Sequence, residues 1–511
     1  MKSSQLITNK RIILQLINHI PIILFFIISL LLLINHEPAF SIAQPWMIAR
    51  DSPDFISMLK LSGYEGTPML WHVFVFGLVK LGLPYISIQI FSFLIVFLSV
   101  LLFYYFSPFK KINKILFIFG YFIIYEYNTL TRSYGLSVLI LFLIALNYKN
   151  RLNKKYIHII LLTLLGNTNL HSLAIMISLL IVYFYECLNL KKEILSNSIL
   201  FIISVFIIII PLYQVLPFND SSFTIKKTDI DITIEHLAIV PHSFIYAFIP
   251  IPELTVQFWN TKLIDNHLKY LSIIGTIMFF LIILQLKKVP SIIYIIFSIE
   301  IYSMYILKPF AGWYMRHYGF AFILWIFCLW ISSFYRNESL FFKYNKLSII
   351  IRRNFKYLFV LILIFQLTAG LVAIIYEIKY NFSNAKDAAI FLEKYLKITE
   401  NNSIIAAYRS INTVSIIPNL AIQRPFYCLE YDKYCTYMII NNIISDNISI
   451  EKLQKFELKE PTKRHYFITT KPLDYSNIIE DFNLTEKYVL IKSFNNDLIF
   501  PDEDYLIYEK I

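Results

Sequence analysis

Long apolar runs separated by short polar connections fill the first three quarters of the chain. Each can be measured against the roughly 20 residues a helix needs to cross a hydrocarbon core. They fall at 12–34, 84–106, 112–128, 132–148, 156–168, 172–188, 198–216, 269–286, 290–308, 317–335 and 356–377. The pattern therefore predicts about 11 transmembrane helices. The first run is longer than the apolar core of a signal peptide and no small-residue cleavage site follows it, so it reads as a retained span. Beyond residue 377 the pattern changes. Ser383 precedes "NAKDAAIFLEKYLKI" (384–398), whose apolar residues recur at helical spacing, and "SIIAA" (403–407), "YMII" (437–440), "HYFITT" (465–470) and "YVLIKSF" (488–494) read as strands. Roughly 130 residues can hold a core of their own. The expected fold is an all-α polytopic membrane domain over 1–377 with a small extracytoplasmic α/β domain over 378–511.

Lys and Arg set the expected orientation. Lys2, Lys10 and Arg11 precede the first span, and "FKKINK" (109–114), "NYKNRLNKK" (147–155), "LKK" (190–192), "LKK" (286–288) and 336–356 follow every second one. All fall on one side if "WHVFVFGLVKLG" (71–82) lies along the membrane. The N-terminus is then cytoplasmic, the C-terminal domain is outside, and the first outer loop (35–83) carries interfacial helices, one of them with Phe55, Ile56, Met58, Leu59 and Leu61 on its apolar face. A bacterial cytoplasmic membrane is the expected location. Composition agrees: of 511 residues 57% are hydrophobic and only 16% charged, against about a quarter charged in ordinary globular domains. The net charge of +12 sits between apolar runs, where it signals topology and contact with membrane lipids; it does not suggest nucleic-acid binding.

Ionisable groups near membrane depth mark function by default, and here they gather in the outer connections. Loop one supplies Glu37, Asp51, Asp54, Glu65 and His72, and the other outer connections supply Glu126, Arg132, His171, Lys308, Arg316 and His317. Carboxylates act as general bases toward hydroxyls, and Arg, Lys and His hold phosphate. Several have a second reading. Asp51 in "ARDSPD" also suits a helix N-cap, Asp54 a first-turn dipole partner, Glu65 a support for the Gly-Thr-Pro turn, His171 a satisfied loop residue, and Arg50 and Arg132 interfacial anchors. Cys428 and Cys435 either pair in an oxidising exterior or stay as thiols, while Cys187 and Cys328 read as small apolar residues in spans. Zinc-type Cys/His spacing, a Walker loop and a GxGxxG fingerprint are absent from the sequence.

"AQPWMIARDSPDFISMLKLSGYEGTPMLWHVFVFGLVKLGLP" (43–84) resembles the first outer loop of GT-C glycosyltransferases that use lipid-linked sugars: the aminoarabinose transferases, protein mannosyltransferases and Rgt-like enzymes. "TRSYGLSVLILFLIAL" (131–146), "NTNLHSL" (167–173), "MRHYGF" (315–320) and "KDAAIFLEKYL" (386–396) extend the likeness along the chain. The resemblance implies inverting transfer of a sugar from a polyprenyl-phosphate donor to a lipid, glycan or protein acceptor on the outer face. A loop-one carboxylate, Asp51, Glu37 or Asp54, would act as base. Arg132, Arg316, His317 and Lys308 would hold the departing lipid phosphate, and Glu65, His72 and His171 would contact substrate. Donors of the monophosphate kind imply no cofactor or metal, whereas oligosaccharyltransferase relatives use a divalent ion. Where many relatives carry an acidic pair before the Ala-Gln step, this chain has Ser41 and Ile42. The competing classes are a secondary transporter or lipid or polysaccharide flippase, a catalytically inactive relative, and an O-antigen-type polymerase or ligase. The transporter class predicts internal repeats and broken helices, and no such repeat is evident in a chain with 11 Gly.

Overall fold

The computed structural model describes residues 2–189 (side chains from 18), 194–216, 241, 244–264, 268–307, 314–336, 338, 340, 346–399, 401–439, 450–472, 487–494 and 497–511. Most of this is helix. Ten of the predicted apolar runs coincide with helices: Lys2–Asn35, Ser87–Phe106, Ser133–Asn147, Lys155–Gly166, Leu170–Asn189, Ile194–Val215, Leu268–Gln285, Lys288–Leu307, Met315–Ser332 and Lys346–Lys379. Among the described residues, five stretches are long and apolar enough to cross a bilayer: Asn18–Asn35, Ser87–Phe106, Leu170–Asn189, Met315–Ser332 and Asn354–Lys379. Their faces are inverted relative to a water-soluble bundle. Ile23, Leu94, Leu98, Ile181 and Ile375 stand exposed, while Ser29, Ser92, Ser99, Ser178 and Gln366 are buried between helices. Chains with this pattern belong in lipid.

The run at 112–128 is not one helix. Lys111–Ile118 ends, and a π-helical turn follows at Phe122–Glu126. The cause is close packing at the break. A Cβ on Gly120 would crowd Gln366, and Gly370 on the last long helix lies against the Phe119 carbonyl. Phe117 through Thr131 is buried throughout, which is the condition under which irregular backbone is tolerated at membrane depth.

Loop one folds as three helices, Phe40–Asp51, Phe55–Ser62 and Leu70–Lys80. The N-cap that "DSPD" predicts belongs to Asp54, whose Oδ1 accepts from the Ser57 amide at 2.7 Å. Asp51 is the last residue of the preceding helix, so its capping role is corrected. Met58 is buried on Phe55–Ser62 while Phe55 and Ile56 are exposed, the two-faced pattern of an interfacial helix.

The C-terminal region contains strands β1 (Ser403–Ala407), β2 (Phe426–Cys428), β3 (Lys433–Cys435), β4 (Arg464–Thr469), β5 (Tyr488–Ser493) and β6 (Leu506–Lys510) in the order β3-β2-β1-β4-β6-β5. β1 runs parallel to β2 and β4, and the other pairings are antiparallel. Alternation along β1 divides its side chains: Ile404 and Ala406 pack with Leu453 and Phe456 of helix Ile450–Glu457, and Ile405 and Ala407 join the core that continues into the helical region. Cys428 and Cys435 form a disulfide with Cα atoms 5.9 Å apart, clamping β2 to β3. The expected strand "YMII" is absent over 437–439, and residue 440 lies outside the described residues. Met438 instead bonds through both its backbone groups to the side-chain amide of Gln44, at 3.0 and 2.5 Å. The predicted helix at 384–398 is Ala385–Ile390 followed by a π turn, Phe391–Tyr395, with Ser383 Oγ accepting from the Ala385 amide.

Candidate functional site

Loop one turns back on itself at Gly63–Glu65. Gly66, at φ 63, takes the left-handed conformation that the reversal requires. The reversal brings Glu65 against His72 in the first turn of Leu70–Lys80, with Oε2 and Nε2 3.0 Å apart and both side chains nearly out of solvent. Burial by itself raises the Glu65 carboxyl, but the His72 imidazole and the Arg132 guanidinium together hold it below its ordinary value. Arg132 is the N-cap residue of Ser133–Asn147, and its guanidinium donates to the Ser41 carbonyl at the start of Phe40–Asp51.

Arg132 lies within electrostatic reach of a second guanidinium, that of Arg316 in the first turn of Met315–Ser332. Arg316 is 6% exposed. It lies 4.1 Å from the Tyr314 ring, with Trp259 and Tyr134 on its flanks, and faces the buried carboxylate of Glu126. Its Nε has no hydrogen-bond partner among the described residues. Tyr121 donates to Glu126 at 2.7 Å. Next in the helix, His317 stacks on His171 with ring centroids 5.1 Å apart, and its Nε2 lies 3.2 Å from the Tyr134 hydroxyl. Gly319 fixes this docking. A Cβ there would overlap Tyr127, whose hydroxyl donates to the Arg316 carbonyl at 2.9 Å.

Two like charges in a buried space repel, and Glu65 and Glu126 offset that repulsion from either flank. An anionic group between the guanidiniums would convert the repulsion into attraction. A crevice lined by Phe244 and Ser298 reaches His171 and His317. It meets an apolar groove of about 270 Å3, lined also by Phe279, Phe280, Ile299 and Tyr302, that opens on the outward-facing surface of Leu268–Gln285 and Lys288–Leu307.

Seven of the residues singled out from the sequence, Glu65, His72, Glu126, Arg132, His171, Arg316 and His317, thus come together. Lys308 lies outside the described residues. Asp54 is committed to its helix cap. Asp51 is ten residues beyond Ser41 on one helix, about 15 Å at 1.5 Å per residue, so it stands away from Arg132. There it binds Arg50 in a two-point pair (2.5 and 2.9 Å) and accepts from Thr436, while Arg50 also donates to Gln423. Glu37, in the connection before Phe40–Asp51, is half-buried. Burial pushes its carboxyl up to about 8, helped by Asp387, Glu377 and Glu503 and opposed by Lys386.

One constellation was missed in the sequence. Glu377 accepts from Tyr125 at 2.8 Å and pairs with His36 at 2.8 Å, entirely shielded from solvent, tying the first and last long helices to the π turn. The signal was present: "GLVAIIYE" places a carboxylate in an apolar run, which is costly without a partner. Among the described residues no group of three or more His, Cys, Asp or Glu is placed to hold a metal ion. Comparison with family models, curated proteins and solved structures finds no match to this chain.

Proposed function

We propose that this chain is a GT-C-type membrane glycosyltransferase that transfers a sugar from a polyprenyl-phosphate donor to an acceptor at the outer face of a bacterial cytoplasmic membrane. The observation that carries the reading is the His171–His317 stack at the inner end of a lipid-facing apolar groove, with Arg132 and Arg316 in electrostatic reach of His317. The groove suits an isoprenoid tail and the guanidiniums suit its phosphate. About eleven spans, with the N-terminus inside and the C-terminal domain outside, complete the reading. In its support, basic segments from distant parts of the chain converge at one end of the bundle: Lys287 donates to the Tyr335 carbonyl, and Arg151 to the Tyr335 hydroxyl.

In the reaction, a loop-one carboxylate takes the proton of the acceptor hydroxyl as its oxygen attacks the anomeric carbon opposite the phosphate. The bond from that carbon to the phosphate oxygen breaks, its electron pair leaves with the phosphate, and configuration inverts. Arg132 and Arg316 stabilise the charge that builds on the departing phosphate. Glu37 is assigned as the base. It lies four residues before Ser41, whose carbonyl accepts from Arg132, and because its carboxyl is held near 8 it acts only once its own proton is lost, so transfer is expected to rise with pH toward 8.

The test is transfer of radiolabel from a panel of polyprenyl-phosphate sugars by the purified protein. Glu37→Gln and Arg316→Gln are expected to lower turnover about 100-fold or more, the size of effect seen when one transition-state donor is removed, and Asp51→Asn to retain most of it. Full activity in Glu37→Gln removes the base assignment. Absence of transfer from every donor, with intact labelled lipid crossing the membrane, replaces the reading by a flippase.

A further inference from the structure

The Arg50–Asp51 pair, about 15 Å along its helix from Ser41, borders a second cavity that the transfer reading does not use. It measures about 320 Å3 and is lined chiefly by Tyr431, Lys433, Tyr434, Cys435, Thr436 and Tyr437. Its shape follows from local covalent structure. β2 and β3 form a short hairpin whose connection includes Asp432 in the left-handed region, at φ 53, and the Cys428–Cys435 disulfide closes it. Tyr431 and Tyr437 are thereby held around one hollow on the Cys435 side of the hairpin, while Tyr434 turns its ring to the opposite face, 5.3 Å from that of Tyr427.

We propose that this cavity binds a pyranose unit of a neutral glycan. Tyrosine rings offer flat apolar surfaces with polar tips, matching a sugar's C–H face and its rim of hydroxyls. The hydrogen-bonding groups stand at the edge. Thr436 donates to Asp51, Lys433 lies over the Tyr431 ring at 5.4 Å, and the Asp51 carboxylate is close enough to Tyr437 to act on its hydroxyl. The charges discriminate among ligands. Lys433 brings one positive charge to the rim, the Arg50–Asp51 pair brings none net because its two charges cancel, and these polar groups count against a lipid tail. A cavity of this volume lies at the small end of ligand sites, suited to one or two sugar rings. The site is separate from the arginine cluster and does not depend on the transfer reading. If both hold, the pocket grips a glycan acceptor several units away from the end that reacts.

The experiment is saturation-transfer NMR on the full-length protein in detergent. The probes are the methyl glycosides of glucose, galactose, mannose and N-acetylglucosamine, with inorganic phosphate as competitor. At least one glycoside is expected to receive saturation on its ring C–H protons. Tyr437→Ala is expected to weaken that binding at least tenfold, Tyr437→Phe to retain most of it, and phosphate not to compete. Tyr437 is half-buried, and an unchanged melting temperature checks that its truncation leaves the fold intact. Arg316→Gln, outside this pocket, keeps the signal even where it abolishes transfer, so failure of one proposal is distinguishable from failure of the other. No saturation of any glycoside, saturation unaffected by Tyr437→Ala, or displacement by phosphate overturns the proposal.

Discussion

Replacing Arg151 by alanine tests how the basic end of the bundle is held. Its Nε and Nη2 both donate to Glu186 Oε2, at 2.9 and 2.7 Å, Nη2 also reaches the Tyr335 hydroxyl at 3.0 Å, and Nη1 donates to the Tyr148 carbonyl at 2.8 Å. The guanidinium lies 4.3 Å from the Tyr148 ring, and the residue is 9% exposed. Arg151→Ala leaves Glu186 with the single hydrogen bond from Tyr335 and an unpaired charge. Breaking a buried pair from one side costs about 3–5 kcal/mol, because the stranded ion retains its desolvation penalty. Replacing both partners by apolar residues of similar volume, Arg151→Met with Glu186→Leu, removes that penalty and is expected to be neutral or stabilising. Thermal unfolding in detergent, followed by tryptophan fluorescence, is expected to show Tm falling by several degrees for the single variant and recovering in the double. A single variant melting with the wild type, or a double variant no more stable than the single, would refute the reasoning.

Three further outcomes follow from the same reasoning. Burial raises Glu37 to about 8 and Glu503 to about 7, so both carboxyls take up a proton on folding. The stability this confers is complete below the ordinary carboxylate range and drains as pH rises from about 5 to 8, by up to about 1.4 kcal/mol per pH unit per carboxyl. Melting curves across that window check it, and Glu37→Gln should flatten the dependence. Gln44→Ala strands the Met438 amide and carbonyl at roughly 1–3 kcal/mol each, and limited proteolysis should show the segment around 438 cut faster. Gly319→Ala forces a Cβ into Tyr127, an overpacking cost of about 1–3 kcal/mol readable as a lower Tm.

The charges of these connections were legible because ionisable groups are rare in an apolar chain, and Glu65, His72, Glu126, Arg132, His171, Arg316 and His317 do converge. Less legible was what each charge does once folded. Arg151, read as one of a run of topology-setting cations, is also a buried clasp on Glu186, since nothing in "NYKNRLNKK" shows the carboxylate 35 residues on. Asp51 was expected to be a catalytic base from the resemblance, yet the helix after Ser41 carries it away from Arg132. Two nearby aspartates compete for one cap, and only the backbone path decides that Asp54 takes it.

By itself the sequence determined the apolar helical region, the presence of helices in loop one and the mixed α/β tail, because hydrophobic periodicity and length are local properties that solvent and lipid read directly. Tertiary structure alone decided the break at Gly120, the His36–Glu377 pair, the side-chain amide of Gln44 taking the place of a strand, and the placement of Asp51 beside the tyrosine-lined cavity. Each depends on groups tens to hundreds of residues apart in the chain. Close packing brings them together, and burial makes every polar group find a partner wherever the fold supplies one.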